Sequence, residues 1–125
     1  MAAIRADQLA DAVIEELENY SEDVTEGIKK AVIEAAKDCK SQIQSNSPVQ
    51  TGSYKKGWRI KKAYESPTDI RLIIHNKTDY QLVHLLENGH AKVTGGRVPG
   101  HPHVAPAAEA AARALESKAK VVVKG

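Results

Sequence analysis

Phenylalanine is missing from this 125-residue chain, and tryptophan, methionine and cysteine occur once each, as Trp58, Met1 and Cys39. Aliphatic residues and four tyrosines must therefore supply the packing. The alanines crowded near both ends bury little area each but let backbones approach closely. A lone cysteine excludes an internal disulfide framework and fits a reducing compartment. It falls in helical line with Ala35, Ala36 and Ile43, so Cys39 reads as a small buried hydrophobe rather than a nucleophile. No apolar run has the length of a membrane span, and the first residues lack the basic-then-apolar plan of a signal peptide. The expectation is a soluble protein with no membrane partner. A net charge of +2 argues neither for nor against nucleic acid.

The distribution of charge says more than its sum. Residues 1 to 26 carry Asp7, Asp11, Glu15, Glu16, Glu18, Glu22, Asp23 and Glu26 against Arg5 alone. Residues 55 to 62 carry Lys55, Lys56, Arg59, Lys61 and Lys62 with no acid. Segments of opposite sign point to contacts within the molecule or between copies of it.

Leu9, Val13, Leu17, Val24, Ile28, Ile33, Ala36, Cys39 and Ile43 recur at steps of three and four, predicting helix over residues 6 to 46. Unbroken, that helix is roughly 60 Å long at 1.5 Å per residue, against a radius of gyration of about 14 Å for a compact domain of this length. It either breaks near Asn19-Tyr20-Ser21 or projects onto a neighbouring subunit. Pro48 stops it, and Thr51-Gly52 turns the chain into a strand over 54 to 64. In that strand Tyr54, Trp58, Ile60 and Tyr64 face inward, and Lys55, Arg59 and Lys61 outward. Ser66-Pro67-Thr68-Asp69 is turn chemistry, with a returning strand from Ile70 to His75. Thr78 with Gln81 matches a capping box for a short helix from Asp79 to Asn88, closed by Gly89. A loop from His90 to Pro102 leads to a last helix, with Pro106 early in it, running to about Lys118. Val121-Val122-Val123 is a short strand or a tail. The fold class expected is α+β: a long N-terminal helix, an antiparallel hairpin or small sheet, a short helix, a long loop and a C-terminal helix. A single domain spans 1–125, with an acidic helical segment at 1–24, a core at 25–118 and a tail at 119–125.

Four of the five histidines fall between residues 84 and 103, and with Glu87 they raise the question of a metal. His84 and Glu87 share a helix face, with His90, His101 and His103 beyond. The count suffices for zinc but the spacing does not: no pair has the one-turn spacing of a zinc-hydrolase helix, and Pro102 holds His101 and His103 apart in an extended segment. The plainer reading makes them polar loop residues, with Glu87 capping or hydrogen-bonding nearby backbone. No GxSxG-type nucleophile turn exists, and Gly95-Gly96-Arg97 lacks the flanking strand, helix and lysine of a phosphate loop. It reads instead as a flexible loop that orders on a partner. No catalytic residue, metal or cofactor is therefore assigned.

Taken in order, "SPVQTGSYKKGW", a hairpin, "NKTDYQLVHLLENGHAKVTGGRVPGHPHVAPA" and a terminal helix resemble the phage head–tail joining proteins named after the tenth gene product of phage HK97. The likeness covers about residues 25 to 118. It rests on the turn from Ser47 through Pro48, Thr51 and Gly52, the basic strand with Trp58, and Asn76 with Tyr80. It continues through Glu87 with Gly89 to Pro102-His103-Val104-Ala105-Pro106. Many members have Phe-Leu where this chain has His103-Val104, and an aromatic and a Thr where it has Asn88 and His90. The resemblance implies a non-enzymatic structural subunit of a phage or prophage virion, assembled in the bacterial cytoplasm. It would form a homo-oligomeric ring, on the order of six or twelve copies, at the head–tail neck. Portal-adaptor, tail-terminator or tail-tube proteins would be its partners, and genomic DNA would pass through the channel without specific binding.

The expected subunit and partner contacts are Lys55, Arg59 and Lys61 against Glu15 and Glu22 of the next copy, with Gly95, Gly96, Arg97 and His103 facing other neck or tail proteins. One rival role is a tail terminator capping the tube. Another, of a different class, is a zinc-dependent hydrolase or nuclease built on His84, Glu87, His90 and His103.

Overall fold

In this computed structural model the backbone is described for residues 3–5, 11–16, 22–48 and 52–124, and side chains for 23–48 and 52–120. The architecture is α+β, as expected. A four-stranded antiparallel sheet has the order β1 (Ala3–Arg5), β2 (Asp11–Glu16), β4 (Asp69–Asn76), β3 (Trp58–Ser66). Helix α1 (Glu22–Asn46) covers one face of that sheet, and α4 (Val104–Lys124) lies along α1. Three small elements complete the chain: α2 (Gly52–Lys56), α3 (Tyr80–Asn88) and a hairpin of β5 (Gly89–Ala91) with β6 (Arg97–Pro99).

The core follows the apolar periodicity with one correction: Ile33, expected on the buried face, is exposed, and Val32 takes its place because it stands one helical turn from both Ile28 and Ala36. Ile28, Val32, Ala35, Ala36, Cys39 and Ile43 bury one face of α1 against Ile70, Leu72 and Ile74 of the sheet and Ala107, Ala111 and Leu115 of α4. Small alanines on both helices let α1 and α4 pack closely, which compensates for the scarcity of aromatics. Burial pushes the Cys39 thiol up to about 11, consistent with an inert packing residue. Ser47 ends α1 by donating its hydroxyl to the Ile43 carbonyl (2.6 Å), and Pro48 follows.

The expected helix over 6 to 46 is corrected at its start. Helix begins at Glu22, close to the break anticipated at 19–21, and residues 11–16 are a strand paired with β4 from Asp11↔His75 to Glu16↔Ile70. Val13-Ile14 satisfies a strand as readily as a helix, and β4 offers an edge of backbone donors and acceptors that a strand can pair and a helix cannot. Residues 6–10 and 17–21 of the expected helix lie outside the described ones.

Four smaller expectations also change. Residues 52–56 are helical, so the β3 strand starts at Trp58 rather than 54. A bulge between Lys62 and Tyr64 reverses the alternation, so Tyr64 pairs opposite Arg71 and is exposed instead of inward. Thr78 forms no capping box: its hydroxyl donates to the Ser53 carbonyl (2.9 Å), and Asn76 Oδ1 accepts from the Asp79 N–H (2.8 Å) at the mouth of α3. Helix α4 continues to Lys124 rather than stopping near Lys118, because no breaker intervenes and Ala119 is still buried.

Candidate functional site

The stretch expected to be a long loop is a β-hairpin. Gly89, His90 and Ala91 pair with Pro99, Val98 and Arg97, and the turn closes through Lys92 N–H to the Gly96 carbonyl (2.9 Å) and Gly95 N–H to the Lys92 carbonyl (3.2 Å). Gly95 and Gly96 adopt φ of 102° and 78°, a left-handed region that side chains resist. Sequence alone favoured a loop because each strand is three residues long, too short for periodicity to register.

Beneath the hairpin lies a buried polar hub. Glu87, at the end of α3, is 3 % exposed and aims both carboxylate oxygens at the start of α4. Oε1 accepts from the His103 and Val104 N–H groups (2.9 Å each) and Oε2 from the Ala105 N–H (3.0 Å). The next residue, Pro106, has no N–H to satisfy. One carboxylate and one proline thus settle all the orphan donors of a helix N-terminus, and the negative charge sits at the positive end of the helix dipole. The expectation that Glu87 caps nearby backbone is met.

His103 is equally buried. Its Nδ1 faces the His101 carbonyl (2.7 Å) and Glu87 Oε1 (3.1 Å), both acceptors, so this network assigns the ring proton to Nδ1. Nε2 then accepts from the Tyr54 hydroxyl (2.6 Å). Burial, with the nearby Glu87 and Asp79 charges, pushes the Tyr54 hydroxyl well above the ordinary tyrosine range, so it remains a donor. The Tyr54, Trp58 and His103 rings meet edge to face, with centroids 5.6 to 6.2 Å apart. Trp58 Nε1 donates to Ser47 Oγ (3.3 Å) and Asn76 Nδ2 to the Tyr54 carbonyl (2.8 Å). Glutamate, histidine and a hydroxyl in a row suggest acid–base chemistry, but every reactive atom here already has a protein partner and no face open to a substrate. The hub is a joint.

The other anticipated residues scatter. His103 was expected at a partner contact and is instead 1 % exposed. His84 and His90 are exposed on α3 and β5, away from the buried pair, and among the described residues no three His, Cys, Asp or Glu side chains come together as a metal set. Gly95, Gly96 and Arg97 do share the exposed end of the hairpin. Lys55 lies in the last turn of α2 rather than on the strand, while Arg59 and Lys61 are exposed on β3. Arg59 folds its guanidinium back onto the Lys56 and Trp58 carbonyls. Glu15 stands opposite Arg71 of its own chain in register, whereas its side chain, that of Glu22 and all of Thr51 fall outside the described residues. Pro48 is half-buried, and Gly52, Tyr80, Pro102 and Pro106 are exposed.

Two glycines were overlooked. A Cβ on Gly57 would lie 2.1 Å from Thr78 Oγ1, and one on Gly100 would lie 2.5 Å from the Glu87 carbonyl. Nothing local marks either one, because the crowding comes from residues distant in sequence.

Residues 11–89, which include Tyr54, Trp58, Asn76 and Glu87 of this joint, match the profile of the HK97-gp10-like family, described as a bacteriophage HK97-gp10 tail component. The chain belongs to that family. It is a structural component related to phage tails. A search of curated proteins and one of solved structures gave no match. The family match ends at Gly89, where the hairpin begins.

Proposed function

We propose that this family member is a subunit of a ring at the head–tail neck of a phage or phage-derived particle, where it joins heads to tails. The observation that carries the reading is the hairpin of residues 89–99. It stands on α3, is exposed along almost all its length, and presents Val93 fully to solvent at its tip. A structural subunit with such a projection has a ready contact for a neighbouring protein. Ring closure needs heterologous contacts between copies. Lys55 and Lys61, which have no ion-pair partner among the described residues, and Arg59 offer a basic patch for one side. Exposed Asp23 and Glu26 on the first turns of α1 offer the other. Assembly takes place in the host cytoplasm, and DNA passes the ring without sequence-specific contacts.

The test is electron microscopy of particles made without this gene product. The expected result is filled heads and normal-length tails lying separately, joined when purified protein is added. Normally joined particles would overturn the reading, and tails of uncontrolled length would assign the terminator role instead. Reversing the charges of Lys55, Arg59 and Lys61 should weaken ring formation, and reversing Asp23 and Glu26 in the same chain should restore it.

A further inference from the structure

A docking loop that folds on its partner needs only loose ends, but the ends of this hairpin are fixed. Gly89 N–H donates to the Leu85 carbonyl, and His101 N–H donates to the Leu86 carbonyl at 2.7 Å. A Cβ at Gly89 would lie 2.3 Å from the Val98 carbonyl oxygen, and one at Gly100 2.6 Å from Asn88 C, so the two feet of the hairpin and the last turn of α3 are in backbone contact. Just beyond, Glu87 grips the N–H groups of residues 103, 104 and 105. The tip is the reverse: a Cβ on Gly95 or Gly96 would meet nothing within 4 Å.

Its composition is equally one-sided. Between Glu87 and Glu109 the chain has no acid, while Lys92 adjoins the bare Val93 and exposed Arg97 stands on the returning strand, its guanidinium 3.5 Å from the Asn88 carbonyl. Phosphates would reward the two cations but gain nothing from the branched aliphatic side chain exposed at the tip beside Lys92. A protein surface with a small apolar depression rimmed by carboxylates rewards both.

We propose that the hairpin is a preset docking finger for such an acidic, apolar-pocketed protein surface, and that Glu87 is the positioning residue that sets its direction. The proposal rests on the joining role given above. A finger fixed before contact loses little conformational freedom on docking, so the clamp strengthens binding without touching the partner.

The test uses the full chain with spin labels at Thr94→Cys and Gln42→Cys, both exposed, and Cys39→Ala. Joining is read with heads and tails from lysates lacking the protein. The unmodified clamp should give a narrow distance distribution and full joining. Glu87→Gln, which turns an amide N–H2 toward the Ala105 N–H and removes the charge, should broaden the distribution and cut joining roughly ten-fold. Gly100→Ala loosens the same base without altering charge and should act likewise, which guards against a folding defect peculiar to Glu87→Gln. The triple variant Val93→Asp, Lys92→Glu, Arg97→Glu should keep the narrow distribution and lose joining.

Full joining with a broadened distribution would show that presetting is unnecessary, and an unchanged distribution in Glu87→Gln would remove its positioning role. Normal joining by the triple variant would remove the finger. Salt-sensitive binding of duplex DNA by the intact chain, lost in the triple variant, would make nucleic acid the occupant and overturn the protein surface. Failure of the unmodified protein to join heads and tails would instead remove the joining role itself, leaving the distance measurements intact.

Discussion

The two ends of the structure formed by residues 84 to 106, with Tyr54 packed at its base, behave as opposites. At the inner end, Glu87, His103 and Tyr54 are buried and hydrogen-bonded to one another or to backbone. At the outer end, Lys92, Val93, Gly95, Gly96 and Arg97 are exposed around a bare turn. The residues that look chemical turn out to be carpentry, and the plain ones are free to meet a partner. Burial decides this: a buried carboxylate held by three N–H groups is closed to an outside partner, whereas an exposed valine has every contact still to make.

The contrast breaks most dramatically at Glu87. Glu87→Ala leaves three N–H groups of α4 without acceptors and should cost about 3–5 kcal/mol in urea unfolding; a loss under about 1 kcal/mol would mean that water replaces the carboxylate. His103→Phe should cost about 1–3 kcal/mol, because the Tyr54 hydroxyl loses its acceptor, and adding Tyr54→Phe should recover most of it by removing the donor as well.

A pH series sharpens the same point. Because folding raises the Tyr54 pKa, its contribution is full below the unfolded value of about 10 and declines as pH rises beyond it. Urea midpoints should therefore fall more steeply above pH 10 in the parent than in Tyr54→Phe. At the tip the expected effects are smallest: Val93→Asp should shift stability by no more than about 0.5 kcal/mol. A larger loss would mean that the tip packs on the body.

How much of this was legible in the sequence differs between the two ends in the same way. The buried face of α1 was readable because Ile28, Ala36, Cys39 and Ile43 repeat at helical spacing, although Val32 rather than Ile33 fills the position between Ile28 and Ala36. The capping role of Glu87 was within reach, since Gly89 ends one helix and Pro106 begins another nearby. The His103–Tyr54 bond was not, because 49 residues separate the partners and Tyr54 seemed to belong to a strand. The β2 strand was hidden for a related reason: Val13 and Ile14 suit either structure, and the strand of residues 70–75 that selects between them lies far along the chain. The hairpin escaped notice because its stability rests on fixed feet rather than on a pattern within its own strands.

Electron cryomicroscopy of an assembled neck tests the central claim most directly. The account predicts a ring in which residues 92–97 of each subunit insert into a different protein, with Val93 enclosed and Lys92 and Arg97 beside carboxylates. A ring whose hairpins point into solvent, with another surface making the junction, would contradict it.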